Sequence, residues 1–492
     1  MTAMAFMEHF FDYLRSPAVL LTVVTIMGPI LLEVYKNKVF ARHARHAKPG
    51  KIEGYFRLGL TKRSNLSDQY ELTLPRSGGD VQANGVDDPK VKALFTYPVK
   101  SCRGVELAAS EVGTLGLKYD RTFTFAQLIS TLDKSNTAAK SAEPSKASSD
   151  WRHEWRFITQ REFPRLALLE TELWVPDPRA AKNQVNGHGG KKDGTTSKAQ
   201  QETKIETEKT IQTQSDDSWA TNGGCFILRF PFEPDFNLFG LRTKTITLRI
   251  PLAPTYEHAE AKNYEFEALK IWKDCPQAIN VSGEIPYADL AKLKYFLGVS
   301  NPLALFRVDP NSKRAINRSL PKDSPDASYS VGFADAFPLH VLSMESVRAL
   351  DAELPERDAF KGKLDASRFR ANIYVTGGGA HDEDTWKKVS VGRAVLRPKR
   401  KDGRVKETDG EYHIACRTAR CRLPNVDQST GIKNFNEPLR TLSRTRQVDE
   451  GAKPHPCLGM QAIPLFQQGI LRVGDRIQVL KRGEHYYEKM LS

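Results

Sequence analysis

From Val91 onward the sequence consists largely of short runs of β-branched, aromatic and aliphatic residues set between turn signals. VKALFTY, TFTFAQL, LALLETELW, CFILRF, TKTITLRI and FEALKIW come first, and ANIYVT, KVSVGRAVL, EYHIAC and DRIQVLK follow. Runs this short suit strands better than core helices, and their spacing predicts a barrel or sandwich rather than a doubly wound sheet. Two helices interrupt them. In YADLAKLKYFLG, Leu290, Leu293, Phe296 and Leu297 share one face and Gly298 can close the C-terminus. A second helix, from about Met344 to Leu354, follows Ser343, a suitable N-cap. The chain has 492 residues, room for two or three cores, and no repeat at solenoid or propeller periods. The expected class is α+β and β-dominated, with a first core from Val91 and a second β-rich region from about Phe333.

Ahead of these cores the composition changes. Pro17 to Leu32 carries no charge, and Val34 and Tyr35 extend the apolar stretch past Glu33 to the length of a short membrane span. Lys36, Lys38, Arg42, Arg45, Lys48 and Lys51 follow it, so the positive-inside rule places the long C-terminal part in the cytosol. Residues 1–50 therefore read as one transmembrane helix with a basic flank, in the mitochondrial outer membrane or the endoplasmic reticulum, and 51–90 as a polar linker. Two stretches, about 130–149 and 177–224, are rich in Lys, Ser, Thr, Gln, Glu and Gly and poor in large apolar residues, which predicts disordered insertions.

The net charge of +14 suits an anionic ligand, a membrane face or nucleic acid. The basic residues are interleaved with acids, and no zinc-finger, RNP or basic-zipper pattern occurs, which argues against nucleic acid. Six cysteines, Cys102, Cys225, Cys275, Cys416, Cys421 and Cys457, form no CxxC pair and no disulfide framework. Cys416 and Cys421 have the first spacing of a plant-type ferredoxin without the second, so no iron-sulfur cluster is expected.

The common catalytic templates are missing: no GxGxxG after a strand, no GxxxxGK[ST], no HExxH and no GxSxG. What remains is a series of short segments in which a cation or a thiol sits beside turn residues or a strand end. These are YPVKSCRG (97–104), Asp120-Arg121, FRAN (369–372) and RCRLPNVDQSTG (420–431).

On these segments, together with GLKYDRTF, REFPRL, FADAFPLHVLS, EPLRTL, CLGMQ and LRVGDRIQVL in the same order, the chain resembles the MOSC family, in particular the mitochondrial amidoxime-reducing components and most closely their fungal branch. The likeness runs from Val91 to Leu480 apart from the two insertions. It implies an N-terminal MOSC β-barrel domain over 91–320, a MOSC domain over 330–482, and a molybdenum-molybdopterin cofactor between them. Cys421 matches the family's thiolate ligand to the metal and would be the catalytic residue. A soft thiolate suits that metal, and Arg420 beside it would favour ionisation. Lys100, Ser101, Arg121, Asp335, Arg370, Asn372 and Arg420 would bind the cofactor. The implied reaction is reduction of small N-hydroxylated compounds such as amidoximes and hydroxylamines. The sequence carries no flavin, haem or cluster signature, so electrons would come from elsewhere, and the resemblance implies a cytochrome b5-type donor and its NADH-dependent reductase. Two departures stand out: Ala371 replaces the proline common at this position, and Ala419 stands where a serine is frequent. Two other readings stay open, a molybdenum-cofactor carrier or sulfur-transfer protein, and a non-enzymatic membrane scaffold with a vestigial core.

Overall fold

The computed structural model describes residues 54–70, 88–132, 151–177, 223–234, 243–322, 327–396 and 406–489, with scattered positions before 53. The two predicted insertions lie almost wholly outside these residues, as does most of 17–35. Among the described residues no helix is long and apolar enough to cross a membrane, so the transmembrane helix expected at 17–35 finds no support there.

The expected dominance of β structure is present. Phe123–Leu132, Trp151–Phe157, Glu265–Lys270, Gln277–Asn280 and Leu303–Val308 close into a five-stranded barrel. Beside it Tyr55–Leu58, Glu170–Pro176, Cys225–Phe232 and Lys244–Pro251 form an antiparallel sheet of four. Phe123 to Ala126 are all buried. Ala126 joins the cluster of Phe157, Leu269 and Phe306 from the other barrel strands, whereas Phe123 and Phe125 pack in the cluster shared with the neighbouring sheet, where Phe123 meets Phe226 at 4.5 Å between ring centroids. Each such ring stabilises the fold by roughly 2–3 kcal/mol through burial.

The C-terminal half is organised by an eleven-stranded sheet. At its centre Leu339–Ser343 runs parallel to Ile373–Thr376 and antiparallel to Cys457–Pro464, which pairs in turn with Lys406–Ala419. Strands from the N-terminal half complete it. Lys90–Thr96 pairs with Ile373–Thr376, and Ala109–Gly113 pairs with Gln468–Arg472. The two halves therefore share one sheet, and their largest apolar cluster, which includes Leu94, Phe123, Phe226, Ile414 and Met460, runs through both.

Both expected helices form. Tyr287–Leu297 buries Leu293, Phe296 and Leu297 and ends at Gly298 in the left-handed conformation. Met344–Glu353 starts at Ser343, whose side chain accepts from the Glu345 N–H. Residues 54–70 add the strand Tyr55–Leu58 and the buried Leu66, and Gln69 accepts from the Ala366 N–H at 2.8 Å.

Candidate active site

The strand Lys90–Thr96 delivers the chain into a turn that holds Lys100 and Ser101, and the Lys100 N–H donates to the Phe123 carbonyl at 2.7 Å. Opposite, the single-turn helix Ala366–Phe369 ends at Arg370, and Lys406–Ala419 ends just before Arg420 and Cys421. These ends converge on a cavity of about 400 Å³. Lys100, Ser101, Arg121, Asp335, Arg370, Asn372, Arg420 and Cys421 all line it. That volume lies in the range of small-molecule and cofactor sites. A larger hollow of about 610 Å³ beside residues 111–122 is lined by no thiol among the described residues.

Backbone strain is concentrated here. Ser101, Arg121 and Arg370 have φ of 67°, 47° and 53°, a region that side-chain-bearing residues rarely occupy. Tyr97 holds two of them. The Arg370 and Arg121 guanidinium groups lie 4.3 and 4.9 Å from its ring centroid, and its hydroxyl donates to the Ala371 carbonyl at 3.2 Å. Arg121 Nη1 also donates to Asp120 Oδ2 at 2.5 Å and Asn372 Oδ1 at 3.2 Å. Asn372 uses its remaining amide on the Phe95 carbonyl and its Oδ1 also on the His340 N–H. Its amide thus fixes Arg121 and the strand ends. Ala371 has a positive role, because its N–H donates to the Tyr374 hydroxyl at 3.1 Å, a bond that proline would remove.

Among the described residues six cations line the cavity, Lys100, Arg121, Arg161, Arg318, Arg370 and Arg420, against one carboxylate, Asp335. Lys100 Nζ donates to the Phe333 carbonyl at 2.8 Å and pairs with Asp335. Burial pushes the Lys100 ammonium down to about 8 although Asp335 opposes the shift. Arg370 donates from Nη1 to Gln428 at 3.4 Å, while its buried Nη2 has no hydrogen-bond partner among the described residues. A buried guanidinium N–H without an acceptor is costly, and an anionic group in the cavity would satisfy it.

Arg420 is bound differently. Its Nε and Nη2 donate to the Leu458 carbonyl at 2.9 and 2.6 Å, Nη1 donates to Phe369 at 3.3 Å, and Nη2 donates to His340 Nε2 at 2.6 Å. Burial, then Arg420 and Arg121, hold His340 well below its ordinary range, so it is neutral and accepts at Nε2. Burial also lowers Arg420, to about 10, although Cys421 opposes this. Arg420 thus braces the Cys421 backbone and adds positive potential.

Cys421 is partly exposed. Cys416 and Cys457 are buried, and burial pushes both thiols up to about 12, which suits packing. Asp427 does not line the cavity. Its Oδ1 accepts from the Ser429 and Thr430 N–H groups, and its Oδ2 pairs with the buried Arg368. That pair ties the loop after Cys421 to the turn before Arg370.

Several lining residues escaped sequence reasoning. His340 lies in the apolar strand Leu339–Ser343, and nothing in that run marks it as facing a site. Arg161 lies in REFPRL, but nothing in that segment marks it as facing a site. Trp272, Arg318 and Tyr487 carried no local signal.

One titration follows from Lys100. Burial holds it at about 8, so its charge is largely present at pH 7 and largely lost by pH 9. Sulfate, whose own charge is constant in this range, should bind cofactor-free protein more weakly from pH 7 to 9. Asp335→Asn should move that fall to lower pH, since the carboxylate that favours the ammonium is gone. Calorimetric binding that stays flat over this range would remove Lys100 from the anion-holding group.

A shared β core closing over a cation-lined cavity with one half-exposed thiol defines the class, and the chain belongs to the family of MOSC-domain proteins. Residues 328–478 match the MOSC domain and residues 88–222 match the MOSC N-terminal beta barrel domain, together more than half of the chain. Among curated proteins, the chain is 31% identical over 185 residues to mitochondrial amidoxime reducing component 2 of Bos taurus, covering 37% of this chain and 46% of that protein. It is 34% identical over 154 residues to mitochondrial amidoxime-reducing component 1 of Mus musculus, covering 30% of this chain and 38% of that protein. A stretch of 143 residues is 31% identical to a molybdenum cofactor sulfurase of Arabidopsis thaliana, 28% of this chain and 16% of that protein. The matches thus span less than half the length of each of these relatives.

Proposed function

We propose that this protein is a molybdenum-cofactor-dependent oxidoreductase that reduces N-hydroxylated compounds, with Cys421 as the protein's ligand to the metal. The observation that carries the reading is the half-exposed Cys421 in a cation-lined cavity whose wall includes a buried Arg370 N–H lacking an acceptor. A phosphate-bearing pterin fits that donor set. Lys100, Ser101 and Arg370 would hold it, and Arg121, set by Asp120 and Asn372, would lie beside it. When bound, the cofactor supplies two-electron oxygen-abstraction chemistry. Overall, the substrate N–O bond breaks, two electrons and two protons enter, and an amine or amidine leaves with one water. The chain's part is to fix Cys421 through Arg420, keep His340 neutral and present a positive wall. Purified protein lacking both molybdenum and pterin would overturn the reading.

Electron supply is the functional test. With NADH alone, the purified protein should not reduce an amidoxime. Adding a cytochrome b5 and its NADH-dependent reductase should start turnover, followed as NADH oxidation and amidine formation. NADH-dependent turnover by the isolated chain would contradict the proposed electron route.

We also place the protein on the mitochondrial outer membrane or the endoplasmic reticulum, anchored through residues 17–35 with its β domains in the cytosol. The support is the apolar stretch with its basic flank and the mitochondrial naming of the relatives. The full chain should stay in the pellet after alkaline carbonate extraction, and a chain lacking residues 1–50 should be released. Extraction of the full chain would refute the anchor.

A further inference from the structure

The cations of the cavity differ in depth. Lys100, Arg370 and Arg420 are buried, whereas Arg161 and Arg318 are partly exposed. Each of these two outer arginines lies against an aromatic ring. The Arg161 guanidinium is 4.4 Å from the Trp272 ring centroid, and that of Arg318 is 5.5 Å from Tyr487 and 6.0 Å from Phe337. Trp272 is fixed in place. It occupies a positive φ of 56° in a turn closed by reciprocal Ile271 and Asp274 hydrogen bonds, and its Nε1 donates to Asp335 Oδ1 at 3.3 Å.

Among the described residues, neither outer arginine has a carboxylate within salt-bridge distance. Arg161 Nε reaches Thr159 Oγ1 at 3.5 Å, and Arg318 Nη1 donates to the Glu488 main-chain carbonyl at 3.0 Å. The Glu488 carboxylate accepts instead from the Ser319 N–H. Asp335, the one acid among the described lining residues, feels the Arg161 charge but is paired with Lys100. Stacking on a ring orients a guanidinium without neutralising it, and leaves its N–H fork available to a carboxylate or phosphate.

We infer that this site selects planar N-hydroxylated compounds bearing a carboxylate or phosphate, read by Arg161 and Arg318 beside an aromatic lining of Trp272, Phe337 and Tyr487. The inference rests on the proposed reductase function. It adds the substrate class that the outer half of the cavity is built to take.

The test compares a neutral aryl amidoxime with the same compound carrying a ring carboxylate, in the reconstituted system with cytochrome b5 and its reductase. The carboxylated compound should have a kcat/KM about tenfold higher, mainly through KM, as a charge-assisted hydrogen bond provides. Arg161→Gln and Arg318→Gln should each cut that ratio severalfold while molybdenum and pterin contents stay at parental levels. A ratio near one in the parent, with the neutral compound turned over, would overturn the inference and leave the reductase reading intact. Loss of molybdenum and pterin in either variant would also overturn it, because that arginine would then belong to the cofactor. If neither compound is reduced, the reductase reading fails. Calorimetric binding of the two corresponding amidines then decides the recognition claim: a tenfold preference for the carboxylated one that both variants lose supports it, and equal binding overturns it.

Discussion

Cys421→Ser should bring reduction of an amidoxime down by roughly a thousandfold or more, equivalent to about 4 kcal/mol of transition-state stabilisation. The variant should still unfold within about 0.5 kcal/mol of the parent. These two numbers separate because of where the residue sits. Cys421 follows the end of Lys406–Ala419, partly exposed in the cavity, so its sulfur contributes little to packing. A serine hydroxyl is a harder and far less acidic ligand than a thiolate, so with Cys421 as the proposed metal ligand the exchange would fall on that site alone. Pterin held through Lys100 and Arg370 should remain measurable in the purified variant. Full activity in the serine variant would remove Cys421 from the metal, and a large loss of stability would make it a core residue.

Arg420→Met should act on both quantities. The substitution leaves the Leu458 and Phe369 carbonyls and His340 Nε2 without the donors that now satisfy them. Each buried acceptor so orphaned costs about 1–3 kcal/mol. Against that stands relief from burying a cation, visible in the lowered Arg420. The net expectation is a loss of about 2–4 kcal/mol in denaturant unfolding, together with molybdenum content well below that of the parent. Arg420→Lys should recover only part of both, because one ammonium cannot reach acceptors on three sides of a planar fork. Parental stability in the methionine variant would show that Arg420 is not the brace that its hydrogen bonds describe.

The sequence marked the segments that meet at the cavity by a cation or a thiol beside turn residues or a strand end, while the roles given to their residues rest on the family resemblance. Lys100, Arg370 and Cys421 each follow a strand or a short helical turn, and flanking turn residues mark those ends. The helix Tyr287–Leu297 could be read because its apolar spacing and its closing glycine agree. What stayed hidden depends on contacts between distant segments. Pairing of Lys90–Thr96 with Ile373–Thr376 has no local signature, since either partner would alternate in the same way against any neighbour. The left-handed Ser101, Arg121 and Arg370 are stabilised by tertiary partners and not by residue preference. Nothing local in its arginine-rich segment marks Arg368 as buried, yet it is, because Asp427 and the Phe360 ring, 4.0 Å away, receive it. Tyr487 reaches the cavity through its own N–H on Asp449 and a close pass over Gly451, neither visible in a polar tail.

The shared sheet sets a schedule for synthesis. Ala109–Gly113 leaves the ribosome about 360 residues before Gln468–Arg472, its neighbour. At ~5–20 residues per second that interval is roughly 20–70 s. For most of this time Lys90–Thr96 also lacks Ile373–Thr376, which follows it by about 280 residues, so apolar strand edges emerge early and stay open. The five-stranded barrel can close within the wait, because all its strands lie between residues 123 and 308. The nascent protein thus passes through a stage with a finished barrel and an unfinished sheet, when a chaperone that covers bare strands has most to protect, and Cys421 gains its pocket only as the last strands arrive.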